Sequence, residues 1–188
     1  MASISLNALK SGDFINVNGQ PFIVLSTQHS HIGRGGATLR VKMKNLISGV
    51  VLENTFKGDE KIKEAEIKKK KATFLYADEN NAFFMDTESY EQFYLSSESL
   101  AKELNYLREG SEVDLLVFEK VPVSIELPPK VELKVVSAPP GMRGNTAQGS
   151  VTKQVTLETG LVINAPIFIK EGDIVRVNTE RGEYVERV

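Results

Sequence analysis

The sequence predicts an all-β protein made of three small consecutive barrels. Three observations carry that prediction. Most of the 188 residues fall into short runs in which apolar and polar residues alternate, the two-residue period of a half-buried strand. Gly, Asn-Gly and Pro punctuate these runs at regular intervals, as in small closed barrels rather than alternating strand–helix folds. A charged run at 61–71 and the Pro128-Pro129 break divide the chain into units 1–64, 65–128 and 129–188, each too small to share in one large core.

Taken in order, the first unit opens with strands at 13–17 and 20–25 around Asn18-Gly19, a dipeptide that accepts φ > 0 and reverses a hairpin tightly. A longer hairpin follows, with strands at 21–28 and 38–46, and then a strand at 50–56 that ends in the turn Lys57-Gly58-Asp59. Residues 61–71 hold eight charges. They read as a solvated connector, with 66–71 starting the next strand.

The second unit begins with strands at 73–76 and 82–85, turned by Asn80-Asn81. One helix is predicted after them. Ser96 and Ser97 can cap it, Leu100, Leu104 and Leu107 recur at i, i+4 and i+7, and Gly110 can stop it. Strands at 112–118 and 123–127 complete the unit, and two successive prolines lacking a backbone donor end it. The third unit carries strands at 131–136, 151–157, 161–163, 167–169, 174–178 and 184–188. A loop at 138–150 with Pro139, Pro140, Gly141, Gly144 and Gly149 interrupts them, longer than connections in compact domains usually are.

The composition, 41% hydrophobic and 26% charged, is that of a soluble globular chain. No run approaches the ~18 apolar residues of a membrane helix, and the first residues lack the layout of a secretory signal, so the expectation is a cytoplasmic protein. There are no cysteines, which excludes disulfides, thiolate metal sites and Cys nucleophiles. The net charge of −2 is unevenly spread. Lys plus Arg against Asp plus Glu is 8 against 5 in the first unit, 7 against 13 in the second and 8 against 7 in the third. Selected surfaces, not the whole molecule, are suited to phosphate.

The first unit supplies the candidate site. His31-Ile32-Gly33-Arg34-Gly35-Gly36 forms the tip of the long hairpin, and its glycines leave the Arg34 guanidinium without bulky neighbours. A Gly-rich turn with an arginine is ordinarily only a solvated turn. The return strand shifts the reading. Along Thr38-Leu39-Arg40-Val41-Lys42-Met43-Lys44, Leu39, Val41 and Met43 face one side while Arg40, Lys42 and Lys44 line the other. A row of cations leading to a cationic tip is a surface suited to tracking phosphates.

Catalytic patterns are missing. His29 and His31 are the only histidines, and no neighbouring pattern completes a metal site around them. No phosphate-binding Gly-Lys-Ser/Thr loop exists, and Gly33–Gly36 does not open a helix. The carboxylates are scattered. The residues read as a binding protein without cofactor or catalytic residues.

Over its full length the chain resembles the bacterial elongation factor P family. The closing segment carries the most specific match: Leu157-Glu158-Thr159-Gly160, Pro166 through Gly172 and Gly182 through Val188. Phe83-Phe84-Met85-Asp86 and Ala138 through Gly144 add to it, as do Val41 through Leu46 and Thr55-Phe56-Lys57. The resemblance implies an SH3-like first barrel, two OB-like barrels and an elongated, tRNA-like outline. It implies a translation elongation factor entering the ribosome between the peptidyl-tRNA and exit sites when synthesis stalls at consecutive prolines. Its partners would be 23S and 16S ribosomal RNA and peptidyl-tRNA, with no membrane, and the chain would act as a monomer. The first-domain tip, with Arg34 foremost, would face the peptidyl transferase centre, and Arg40, Lys42 and Lys44 would hold RNA phosphates. The third-domain loop, at Arg143, Gly144, Asn145 and Thr146, would reach toward the exit-site codon.

Two departures carry meaning. Many members display lysine at the tip, whose amine can be acylated, whereas a guanidinium is resonance-stabilised and far less nucleophilic. The arginine-bearing branch is similar in carrying rhamnose on this residue, so an arginine rhamnosyltransferase becomes an expected partner. Gly144-Asn145-Thr146 stands where the family usually has Gly-Asp-Thr, which keeps a carbonyl acceptor and loses a charge. That change admits the elongation factor P-like paralogue as an alternative. A general OB-type RNA binder is the other, disfavoured by 7% aromatic residues and no tryptophan.

Overall fold

A computed structural model describes residues 3–31, 37–57, 60–139 and 152–188. The chain is all-β, with three consecutive barrel-like sheets and one turn of α-helix among the described residues. The first sheet contains β1 (Ser3–Ser5), β2 (Phe14–Val17), β3 (Gln20–His31), β4 (Ala37–Asn45), β5 (Val51–Lys57) and β6 (Lys61–Glu64), in the order β1-β6-β2-β3-β4-β5. At the β2–β3 turn Asn18 and Gly19 both take positive φ, 53° and 83°, the backbone that suits the twist of the flanking strands. Ile15, Phe22, Val24, Leu39, Val41 and Met43 form the interior of this barrel.

The charged run at 61–71 divides: 61–64 is a strand and not a connector, while 67–71 begins the next strand as expected. Ile62 is buried between exposed Lys61 and Lys63, and β6 pairs with both β1 and β2. The charges stand on the solvent side of a strand whose one apolar residue closes the barrel. Only residues 65 and 66 separate it from β7 (Ile67–Ala77).

The second sheet adds β8 (Asn81–Asp86), β9 (Gln92–Ser96), β10 (Glu112–Phe118) and β11 (Val121–Glu126) to β7, in the order β11-β10-β7-β8-β9. Its two edge strands touch, closing the barrel. β9 was not expected from the sequence. The expected helix shrinks to α1 (Ala101–Leu104), with Leu100 at its N-cap and no side-chain cap. Ser99 Oγ donates instead to the Ser96 carbonyl, so the serines stabilise a turn. Leu100 and Leu107 are buried, as their spacing implied. They plug the barrel from a chain that coils over its end, and four helical residues satisfy that geometry.

The third sheet comprises β12 (Lys130–Ser137), β13 (Thr152–Leu157), β14 (Val162–Pro166), β15 (Ile174–Asn178) and β16 (Glu183–Arg187), in the order β14-β13-β12-β15-β16. Its edges β14 and β16 also meet. The strand expected at 167–169 is a turn instead: the Ile169 N–H donates to the Pro166 carbonyl, and Ile169 drops into the core. Arg176 on β15 bridges Glu132 and Glu186 on its two neighbouring strands.

One five-residue turn recurs in all three barrels. Asn45 Oδ1 accepts the N–H groups of Ile47 and Ser48, and Gly49 takes φ 74°. Asn178 Oδ1 does the same for Glu180 and Arg181, with Gly182 at φ 69°. In the middle barrel Asp86 Oδ1 accepts from Glu88 and Ser89, and Tyr90 occupies the φ 60° position. The Ser89 N–H, the Lys70 ammonium at 3.0 Å and the Glu88 N–H hold the Asp86 carboxyl at about 2.

The first and third copies of this turn dock on the middle domain. A Cβ on Gly49 would lie 2.8 Å from the Ser99 Cα, and one on Gly182 would lie 3.1 Å from the Tyr106 hydroxyl. Lys102 Nζ donates to the Glu180 carbonyl at 3.5 Å. Apolar packing completes both joints. Leu46 and Ala65 share a buried cluster with Leu116, Phe118 and Val123, and Tyr106 inserts into the core of the third barrel. Burial there pushes the Tyr106 phenol up. Residues 97–107 thereby contact both neighbours, and the first domain packs in addition on Leu116, Phe118 and Val123.

Candidate nucleic-acid interface

β3 and β4 form the longest hairpin of the first barrel. Their ladder runs from Phe22–Asn45 to His31–Ala37, interrupted once where Leu25 bulges between Val24 and Ser26. A bulge increases local twist and re-aims the strand beyond it. From Val24–Met43 to the last pair His31–Ala37 the ladder runs about 20 Å, at about 3.3 Å per residue; the core residues Val41 and Leu39 lie along it, and the pairs Ser30–Thr38 and His31–Ala37 follow Leu39. Five residues, 32–36, separate β3 from β4 in the sequence. Ile32, Gly33, Arg34, Gly35 and Gly36 lie outside the described residues, as does the His31 side chain.

The alternation on β4 places its residues as expected. Leu39, Val41 and Met43 are buried, and the three cations share the opposite face. Their surroundings differ in a graded way along the strand. Arg40, nearest the tip, lies across from Gln28 on one side and Thr55 on the other, and its Nε is 3.1 Å from Glu53. Both partners of that pair are more than half exposed, so the guanidinium keeps donors for a ligand. Lys42 lies between Ser26 and Glu53; it makes no ion pair among the described residues. Lys44, nearest the base, is 2.8 Å from Glu103 of the middle domain.

That last contact separates Lys44 from the other two. Its side chain is 19% exposed and that of Glu103 18%, so the pair is largely withdrawn from water. Glu103 Oε2 is buried without a hydrogen-bond partner, which makes Lys44 the group that compensates the carboxylate. The structure therefore puts Lys44 to use as a strut between domains. Arg40 and Lys42 remain on the open face.

Glu103 was invisible to sequence reasoning because it is 59 residues from Lys44. The partial signal was the repeated Asn-x-x-x-Gly at 45–49 and 178–182, which marks two equivalent turns. The third-domain residues Arg143, Gly144, Asn145 and Thr146 lie outside the described residues. The strands that flank their segment are β12 and β13, paired with a register shift between Val135 and Ser137.

Three family models match successive parts of the chain. Residues 5–62 match the family model described as the elongation factor P KOW-like domain, 67–125 the elongation factor P OB domain, and 131–187 the elongation factor P C-terminal domain. Elongation factor P of Dictyoglomus thermophilum is 47% identical over 184 residues, spanning 98% of this chain and 99% of that one. The corresponding protein of Dictyoglomus turgidum is 46% identical over the same extent. Among solved structures, the eukaryotic translation initiation factor 5A from Methanococcus jannaschii superposes with a TM-score of 0.51 at 23% identity. It covers 67% of this chain and 92% of its own. That likeness is one of fold.

Proposed function

Because this chain belongs to the elongation factor P family, we propose that it binds the ribosome between the peptidyl-tRNA and exit sites and stimulates peptide-bond formation at stalls such as consecutive prolines. It is a translation elongation factor. The observation that carries the finer reading is the β3–β4 hairpin, whose open face presents Arg40 and Lys42 along a ladder that ends at the pair His31–Ala37, next in sequence to residues 32–36. In this reading Arg34 faces the peptidyl transferase centre. Arg40 and Lys42 hold RNA phosphates along the hairpin, and Lys44 sets the hairpin's angle through Glu103.

The chemistry needs no acid, base or nucleophile from the protein. Proline's ring fixes φ and restricts how the nascent chain and the attacking amine align. Holding the end of the peptidyl-tRNA in reactive geometry recovers rate through orientation, the entropy having been lost on binding. The factor is accordingly not an enzyme in its own right and requires no cofactor. Ribosomal phosphates attract Arg40 and Lys42 by a salt-sensitive interaction.

The remaining assignments belong to the same proposal. An arginine rhamnosyltransferase modifies Arg34, and Arg143, Gly144, Asn145 and Thr146 contact the small subunit near the exit-site codon. The units are 1–64, 65–128 and 129–188, and the protein works as a cytoplasmic monomer. The experiment is arrest mapping on a messenger encoding three successive prolines, in a purified translation system lacking any such factor. Added protein should remove the arrest at the proline codons and leave other pauses unchanged. Persistence of the proline arrest at saturating factor refutes the reading.

A further inference from the structure

The outer face of the middle barrel carries a ladder of aromatic rings that its own core does not use. Tyr76 on β7, Phe83 on β8 and Tyr94 on β9 are cross-strand neighbours. The Tyr76 and Phe83 rings stack at 4.6 Å between centroids and 23° between planes, and Phe83 lies 6.2 Å from Tyr94. Tyr76 is 51% exposed and Tyr94 65%. A bulge at Leu75 turns Tyr76 onto this outer face. Three rings in register across three strands make an aromatic surface open to solvent, with Tyr94 tilted 48° to Phe83. Solvated tyrosines scattered over a surface would not be stacked.

The charge around the ladder says what it can hold. Residues 72–101 contain six carboxylates and not one lysine or arginine. Asp78 and Glu79 lie in the β7–β8 turn beside the ladder; the Ser97 hydroxyl donates to the Asp78 carbonyl there, and Glu98 follows Ser97 in sequence. Glu112 pairs with Thr73 on the outer row next to the rings, and Lys71, the next residue of that row, is paired with Asp114 at 2.7 Å. A nucleic acid stacking on these rings would bring its phosphates toward Asp78 and Glu79, which make no ion pair among the described residues, where binding surfaces for single strands supply cations. A cationic peptide meets the opposite situation: guanidinium planes stack on tyrosine and phenylalanine faces, and carboxylates at the rim complement the charge.

We propose that the Tyr76–Phe83–Tyr94 face of the middle domain is a docking surface for an arginine-rich polypeptide segment, distinct from the cationic hairpin that meets RNA. Arg40 and Lys42 lie on another barrel with the opposite charge. The molecule thus presents a phosphate-seeking hairpin and a guanidinium-seeking face. This inference stands on the ladder alone and does not depend on the ribosomal reading.

The test uses the full chain and a fluorescent peptide of alternating arginine and glycine, read by anisotropy. The wild-type protein should bind it, and should bind the lysine–glycine counterpart several-fold more weakly, because lysine lacks the planar group that stacks. Replacing Tyr76→Ser and Tyr94→Ser together should weaken binding about tenfold, while Tyr94→Phe retains it. Should the double variant unfold, the surface reversal Glu79→Lys with Glu98→Lys replaces it and should cost at least as much. Equal binding by wild type and either variant overturns the proposal. So does preference for oligouridine over the peptide, which would make the face an RNA platform. Dimerisation through this face in sedimentation, abolished by Tyr94→Ser, overturns it in favour of a second copy of this chain.

Discussion

Replacing Gly49 by alanine separates the cost of a backbone conformation from the cost of a domain contact. Gly49 has φ 74°, where an L-residue pays about 1 kcal/mol. Its added Cβ would also lie 2.8 Å from the Ser99 Cα, 3.1 Å from the Ser99 carbonyl oxygen and 3.3 Å from the Ser99 Cβ. Two of these atoms belong to backbone and cannot rotate away, so the methyl group costs a further roughly 2 kcal/mol, as overpacking does. Gly19 supplies the control: its φ is 83° and nothing lies within 4 Å of an added Cβ. In thermal unfolding Gly19→Ala should lower the midpoint by about 2–4 °C and Gly49→Ala by about 6–12 °C. Pushing the first domain off residue 99 also strains the Lys44–Glu103 pair. Gly49→Ala and Glu103→Gln should therefore combine to less than the sum of their separate effects. A Gly49→Ala midpoint no lower than that of Gly19→Ala would refute the seating of the first domain on the middle one.

Three other outcomes are expected from the same structure. Lys42→Ala should weaken tRNA or ribosome binding and reduce the slope of log affinity against log salt by about one, measured by filter binding across salt concentrations; Lys44→Ala should leave that slope nearly unchanged, because Glu103 already holds its charge. Asp86 is held at about 2 in the folded chain, below the ordinary carboxylate value. Its stabilising effect is complete above about pH 4 and is lost as pH falls toward 2, so Asp86→Asn should flatten the acid limb of stability between those values in denaturant titrations. Tyr90 occupies the left-handed position that glycine fills in the two equivalent turns and is 72% exposed; Tyr90→Gly should raise stability by up to about 1 kcal/mol in urea unfolding.

Much of the fold was legible because period-two alternation survives wherever one strand face is buried. The 112–118 and 174–178 strands coincide with β10 and β15, and Asn18-Gly19 turns the first hairpin as its chemistry requires. Legibility failed where a local pattern served a nonlocal purpose. Leu100, Leu104 and Leu107 have helical spacing, yet they cap a barrel from a coiling segment with a single helical turn. Ile62 is one apolar residue among charges, too little periodicity to betray a strand that seals the first barrel. Phe93, Tyr94 and Leu95 form a strand too short to stand out beside the stronger helix signal. The orientation of Arg40, Lys42 and Lys44 to one face was readable from parity. The division of labour among them was not, since Glu53 and Glu103 reach them only through tertiary structure.

The proposed role of the hairpin comes down to a single guanidinium that orients a substrate without reacting with it. The measurement is the rate of proline–proline bond formation on ribosomes saturated with factor, comparing wild type with Arg34→Ala under conditions where both bind equally. The proposed role predicts that the alanine variant binds and yet leaves the rate near that of ribosomes without factor. Acceleration by Arg34→Ala equal to that of the wild type would contradict it.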